Sequence, residues 1–158
     1  MKPTHTLPTT DAVDTGVEVT PADILRAAAC YIARHGWTQG TFYERTVATA
    51  GSATRPNATP PVCVLGAIAM AAYGEPVDAP FECDRPEWRD FARAAVFFTD
   101  YLDIRHIDFH PEMSIVDLIC GPDVGDWNDQ DGRTTEQVIA ALIAAADDWD
   151  STHGGAAK

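Results

Sequence analysis

The chain reads as a single, mainly α-helical domain of four to five helices packed around one buried central helix, with room for a minor short β pair. Three observations carry that reading. The run Val62-Cys63-Val64-Leu65-Gly66-Ala67-Ile68-Ala69-Met70-Ala71-Ala72-Tyr73 is apolar on every face and closes at Gly74, and a helix without a polar side belongs in the middle of a bundle. Thr20-Pro21-Ala22-Asp23 and Thr134-Thr135-Glu136-Gln137 are both helix starts, each followed by apolar residues at spacings of three and four. Finally, the 158 residues suit one core, since a chain of that size buries roughly 70% of the surface its unfolded form exposes.

Taken in order, residues 1–19 are rich in Thr and Pro and poor in large apolar groups, so they read as a disordered tail that could not offset the entropy of being ordered. The domain proper is expected over residues 20–150. Its first helix should run from Thr20 to about His35, with Ile24, Leu25, Ala28, Tyr31, Ile32 and His35 on one face and Gly36 as the stop. Residues 36–43 combine two glycines with Trp37, Phe42 and Tyr43, which predicts a loop or short extended segment whose rings pack onto something. Residues 45–60 have almost no bulky side chain, the composition of a mobile surface loop.

The central helix follows over 62–73, at about twelve residues too short for the ~20 that span a bilayer. Gly66 and the alanines around it should let neighbouring helices approach closely. Asp84-Arg85-Pro86-Glu87 then repeats the start signals ahead of Trp88, Phe91, Ala95, Phe98 and Leu102. Residues 103–111 read as irregular or a short strand, and 112–120 as one more short helix stopped by Gly121-Pro122. The last helix begins at the Thr134 capping box and carries Val138, Ile139, Leu142, Ala145, Ala146 and Trp149 inward, leaving 151–158 as a disordered tail. No internal repeat is visible.

Net charge narrows the classes of function. It is −13, and it is unevenly placed: residues 1–74 carry five acids and five bases, residues 75–150 nineteen acids and five bases. Binding a phosphate backbone requires clustered Lys and Arg to displace counterions. Here both lysines, Lys2 and Lys158, are terminal and the nine arginines are scattered, which argues against direct nucleic-acid binding. An acidic face serves solubility or a basic partner. With no apolar run near ~18 residues and no apolar core in the first residues for a secretory signal, the expectation is a cytoplasmic protein without membrane contact. Cys30, Cys63, Cys83 and Cys120 lack paired spacing and read as free thiols.

The residues with chemical potential each have a plainer reading beside them. Cys63 falls in the expected first turn of the central helix, where the helix dipole lowers a thiol's pKa. With His35 as base and Asn128 or Asp129 as orienting group it would make a cysteine-dependent hydrolase or acyl transferase. Between two valines it reads more simply as a small buried hydrophobe. His106 and His110, four apart near Asp103 and Asp108, are weak metal ligands, because Pro111 interrupts a helix there and no further ligand completes a set. The acidic run from Asp123 to Gly132 fails as a calcium loop: with Gly132 at the obligatory glycine, Trp127 and Val138 stand where carboxylates must be. Its Asn and Asp side chains suit turns instead. No phosphate-binding glycine loop, dinucleotide fingerprint or nucleophile elbow occurs, so no cofactor is implied.

The blocks Arg34-His35-Gly36-Trp37-Thr38-Gln39-Gly40, Val62-Cys63-Val64-Leu65-Gly66-Ala67-Ile68, Trp127-Asn128-Asp129 and Gly132-Arg133-Thr134 together resemble a family of small uncharacterised proteins of actinomycetes and their phages, built on a domain of unknown function. The resemblance covers roughly residues 20–148. It implies domain bounds and a helical fold, and it implies no activity, substrate or cofactor. In these blocks Trp37, Gln39, Trp127, Asn128 and Asp129 should cluster against the Gly66 face, either as a ligand pocket or as the pin that holds two loops to the central helix. The pin needs fewer assumptions. The leading expectation is a non-enzymatic binding or accessory protein that offers an acidic, DNA-mimic-like face to a protein partner, with the Cys63 enzyme as the alternative.

Overall fold

The computed structural model describes residues 16–44, 59–102 and 122–154. Within them the chain forms five helices: α1 (Pro21–His35), α2 (Val64–Tyr73), α3 (Trp88–Tyr101), α4 (Pro122–Asp129) and α5 (Thr135–His153). Most of the expected mobile loop 45–60, the segment 103–120 with its expected short helix, and most of the two tails lie outside the described residues. No helix among the described residues is long and apolar enough to cross a membrane.

α1 starts where the capping residues place it. The Thr20 hydroxyl accepts from Asp23 N at 3.2 Å, and Asp23 Oδ2 accepts from Thr20 N at 3.0 Å, so two orphan donors are satisfied reciprocally. Hydrogen bonding from the Thr20 backbone, reinforced by its hydroxyl, holds the Asp23 carboxyl below its ordinary range. Leu25, Ala28, Ala29 and Ile32 are buried against α5 and α2. On the outer edge Arg26 reaches Asp147 and Asp150 of α5 at 2.7 and 2.8 Å.

α2 is the central helix, buried from Val64 to Met70. Its start differs from the sequence expectation. Cys63 is the N-cap, with extended backbone (φ −74°, ψ 174°) and Sγ accepting from Gly66 N at 3.4 Å; it is not in the first turn. The preceding residues are held extended because the 36–44 segment wraps them on both sides. Val62 forms isolated bridges with Trp37 (parallel) and Tyr43 (antiparallel), and Cys63 N donates to the Phe42 carbonyl at 3.1 Å. These bridges are what the expected β pair amounts to; there is no sheet among the described residues. Gly66 also serves another neighbour than expected. A Cβ there would stand 2.1 Å from the Phe42 carbonyl oxygen, so the close approach is made by loop backbone, not by a second helix.

α3 begins at Trp88, after a turn in which Trp88 N donates to the Arg85 carbonyl at 3.0 Å. The cap position falls on Glu87, which makes no side-chain cap bond, so the Asp84 start signal goes unused. The 75–87 segment folds back over α2 and α3: Tyr73 Oη and Trp88 Nε1 donate to the Pro80 and Phe81 carbonyls at 2.8 and 3.0 Å, and Phe81 packs edge-on against Phe91. α4 corrects the expectation of a turn through the acidic run; the expected stop of the preceding helix at Gly121 lies outside the described residues. Proline is accepted in a first turn, where its missing N–H is not needed, and residues 122–129 are helical.

α5 has the expected capping box, Thr134 with Gln137. It runs through His153, which removes 151–153 from the expected tail. Ser151 and Thr152 hydroxyls bond back to the Asp147 and Asp148 carbonyls, and the His153 ring stacks on Trp149 at 3.7 Å. The core is shared by all five helices, with Leu25, Ile68, Phe91, Phe98, Val124 and Leu142 fully enclosed.

Candidate functional site

The residues singled out in three separate blocks meet at the start of α2. Asn128, on α4, is 1% exposed. Its Oδ1 accepts from Trp37 Nε1 at 2.8 Å and from Val64 N at 3.0 Å. Its Nδ2 donates to Asp129 Oδ1 at 2.7 Å and to the Thr38 carbonyl at 3.3 Å. Every hydrogen-bonding position of the amide is used. Gln39 Nε2 donates to the Asn128 carbonyl at 3.0 Å, and Gly40 N to Asp129 Oδ1 at 2.9 Å. Trp127 packs edge-on against Phe98 at 5.8 Å between centroids, while the Arg133 guanidinium lies 4.2 Å over its ring.

The chemistry of this cluster is that of a joint. Val64 N is one of the donors that the first turn of a helix leaves orphaned, and Asn128 satisfies it from another helix while also tying down the 37–40 loop. All the polar positions of the Asn128 side chain are thereby engaged within the joint.

Beside the joint lies an open cleft of about 570 Å³. Phe42, Leu65, Phe81 and Cys63 form its apolar lining, and Asp126 and Asp129 stand on the α4 side. The Phe42 and Phe81 rings are 5.6 Å apart, inclined at 56°, and both are only partly buried. Of these residues, Asp129 and Cys63 were expected to be functional. Asp126 drew notice only within the rejected calcium loop, Phe42 only as one of the packing aromatics, and Leu65 and Phe81 carried no signal, because they become cleft residues only when the 75–87 segment folds back.

Cys63 lines the cleft but is 9% exposed. Burial pushes its thiol up, the Gly66 and Leu65 amides oppose that, and the nearby Asp129 charge pushes it up further. The net direction is away from a thiolate at neutral pH. His35 is not among the residues lining the cleft; its ring rests on Tyr31 at 4.6 Å. The proposed base therefore does not share the cleft with the thiol. His106 and His110 lie outside the described residues, and among the described residues no group of three His, Cys, Asp or Glu could hold a metal. Cys30 is exposed, on the side of α1 away from its buried stripe.

Comparison with known proteins gives one result. No curated protein matches the chain, and neither does any solved structure. Residues 17–148, which include the whole of the Trp37–Asn128 joint and the cleft, match a family of unknown function (DUF6197), and the chain belongs to that family.

Proposed function

We propose that this is a non-enzymatic binding or accessory protein whose acidic surface engages a basic macromolecular partner in the manner of a nucleic-acid mimic. The supporting observation is how the charge is disposed. Asp126, Asp129 and Asp131 precede α5 and Asp147, Asp148 and Asp150 lie near its far end, all exposed. Two cations near them are already engaged: Arg26 with Asp147 and Asp150, Arg133 with the Trp127 ring and carbonyl. The surface thus keeps a surplus of carboxylates at both ends of one helix, and such a field steers and holds cationic partners.

The enzyme alternative has one observation in its favour, that Cys63 lines the cleft. Among the described residues no histidine lines that cleft, and the thiol is shifted the wrong way, so the binding reading fits better.

The test is competition: the full chain is titrated into a complex of duplex DNA with linker histone, a basic DNA-binding protein. Displacement should exceed that of polyglutamate of matched charge, and should weaken at least about tenfold between about 50 and about 200 mM salt. Failure to displace DNA at the lower salt, or displacement no better than polyglutamate, removes the proposal.

A further inference from the structure

We infer that the cleft between the 40–42 loop, the start of α2 and α4 seats an arginine side chain of the basic partner. This rests on the binding reading above and names the chemistry of its recognition. Among the described residues that line the cleft there is no Arg, Lys or His, while two are carboxylates. Asp129 is held in place by Gly40 N and Asn128 Nδ2, both on Oδ1, which leaves Oδ2 as an acceptor on a group that loses little freedom on binding. Asp126 is exposed on the same helix.

The apolar lining selects among cations. A guanidinium is planar, weakly hydrated and stacks on aromatic faces while its edge pairs with a carboxylate. The partly open Phe42 and Phe81 rings provide the faces and Asp126 and Asp129 the carboxylates. Leu65 offers apolar surface for the methylene stem. An ammonium would satisfy the charge but forfeit the stacking and carry a heavier desolvation cost. The cleft's volume of about 570 Å³ also leaves room for peptide backbone on either side of the side chain.

The experiment titrates the full, isotope-labelled chain with three short glycine-flanked peptides that differ only in one residue: arginine, lysine or citrulline, the last being the neutral shape-match of arginine. Amide shifts at Gly40 and Gly125, on opposite sides of the cleft, report occupancy. The arginine peptide should move both, the lysine peptide should bind several-fold more weakly, and citrulline should leave both in place. Asp126→Asn should weaken the arginine peptide several-fold with the rest of the spectrum unchanged, whereas Asp148→Asn, near the end of α5, should not. Equal binding of arginine and lysine peptides, shifts confined to the ends of α5, or indifference to Asp126→Asn overturns the inference while leaving the acidic-surface reading intact. The histone competition decides that reading separately.

Discussion

Asn128 concentrates more of the structure than any other polar side chain described. It pairs a loop tryptophan, a loop carbonyl, a neighbouring carboxylate and the orphan amide of another helix through a single group. Removing it with Asn128→Ala leaves the part-buried Trp37 Nε1 and the buried Val64 N without their acceptor, and opens a void beneath the loop. The expected loss is about 2–4 kcal/mol, read as a lowered urea midpoint at constant slope. Asn128→Asp should fare no better at neutral pH. It keeps the acceptor but replaces an amino group that donates to Thr38 and Asp129 with an oxygen facing two acceptors. If Asn128→Ala unfolds at the wild-type midpoint, the joint is not what holds the 37–40 loop. That Trp37, Gln39, Asn128 and Asp129 would gather was legible from their blocks. Their role was less so, because it turns on Val64 N being the unpaired donor, and that depends on the exact start of α2. The two-residue offset in that start, from 62 to 64, changes Cys63 from a first-turn thiol favoured by the helix dipole into a buried cap.

At the level of elements, α2 was read from being apolar on every face and α3 from its apolar period, whereas in α1 and α5 a chemical start signal agrees with the period. Thr20 and Thr134 cap those two helices as expected. Thr20→Ala and Thr134→Ala should each cost about 1 kcal/mol, measured by chemical denaturation. Asp84→Ala removes a start signal of the same appearance that the fold does not use, since α3 begins four residues later, and it should change stability by less than about 0.5 kcal/mol. A cost for Asp84→Ala equal to that of the two threonines would place the α3 start wrongly. α4 was not legible for a physical reason. Over its eight residues, large apolar side chains occur only at Val124 and Trp127, a single turn apart, so no period can be distinguished from chance. Its polar residues are those that also favour turns. What makes it a helix is tertiary: Val124 is buried in the shared core and Asn128 is bonded to α2.

Across the whole molecule, several ionisable groups are held in their neutral forms by burial, and this sets how the fold should fail in alkali. Desolvation pushes the Tyr43 phenol up to about 12 and pushes Tyr73 and Cys63 upward too. In the unfolded chain the thiol ionises near ~8.5 and the phenols near ~10. Above those values the unfolded state has released protons that the folded state still holds, so stability falls as pH rises: first past about 9 through Cys63, then more steeply past about 10 through the tyrosines. The net charge of −13 adds self-repulsion, but that contribution is screened by salt, whereas the desolvation of buried phenols is not. Thermal melts from about pH 7 to about pH 11, at low and high salt, should therefore show salt raising the melting temperature at neutral pH without abolishing the alkaline decline. Tyrosinate absorbance for Tyr43 and Tyr73 should appear together with loss of helical ellipticity. Full tyrosine ionisation near pH ~10 with the helices intact would mean that the 73–81 region does not enclose those rings, and the cleft built on Phe81 would fall with it.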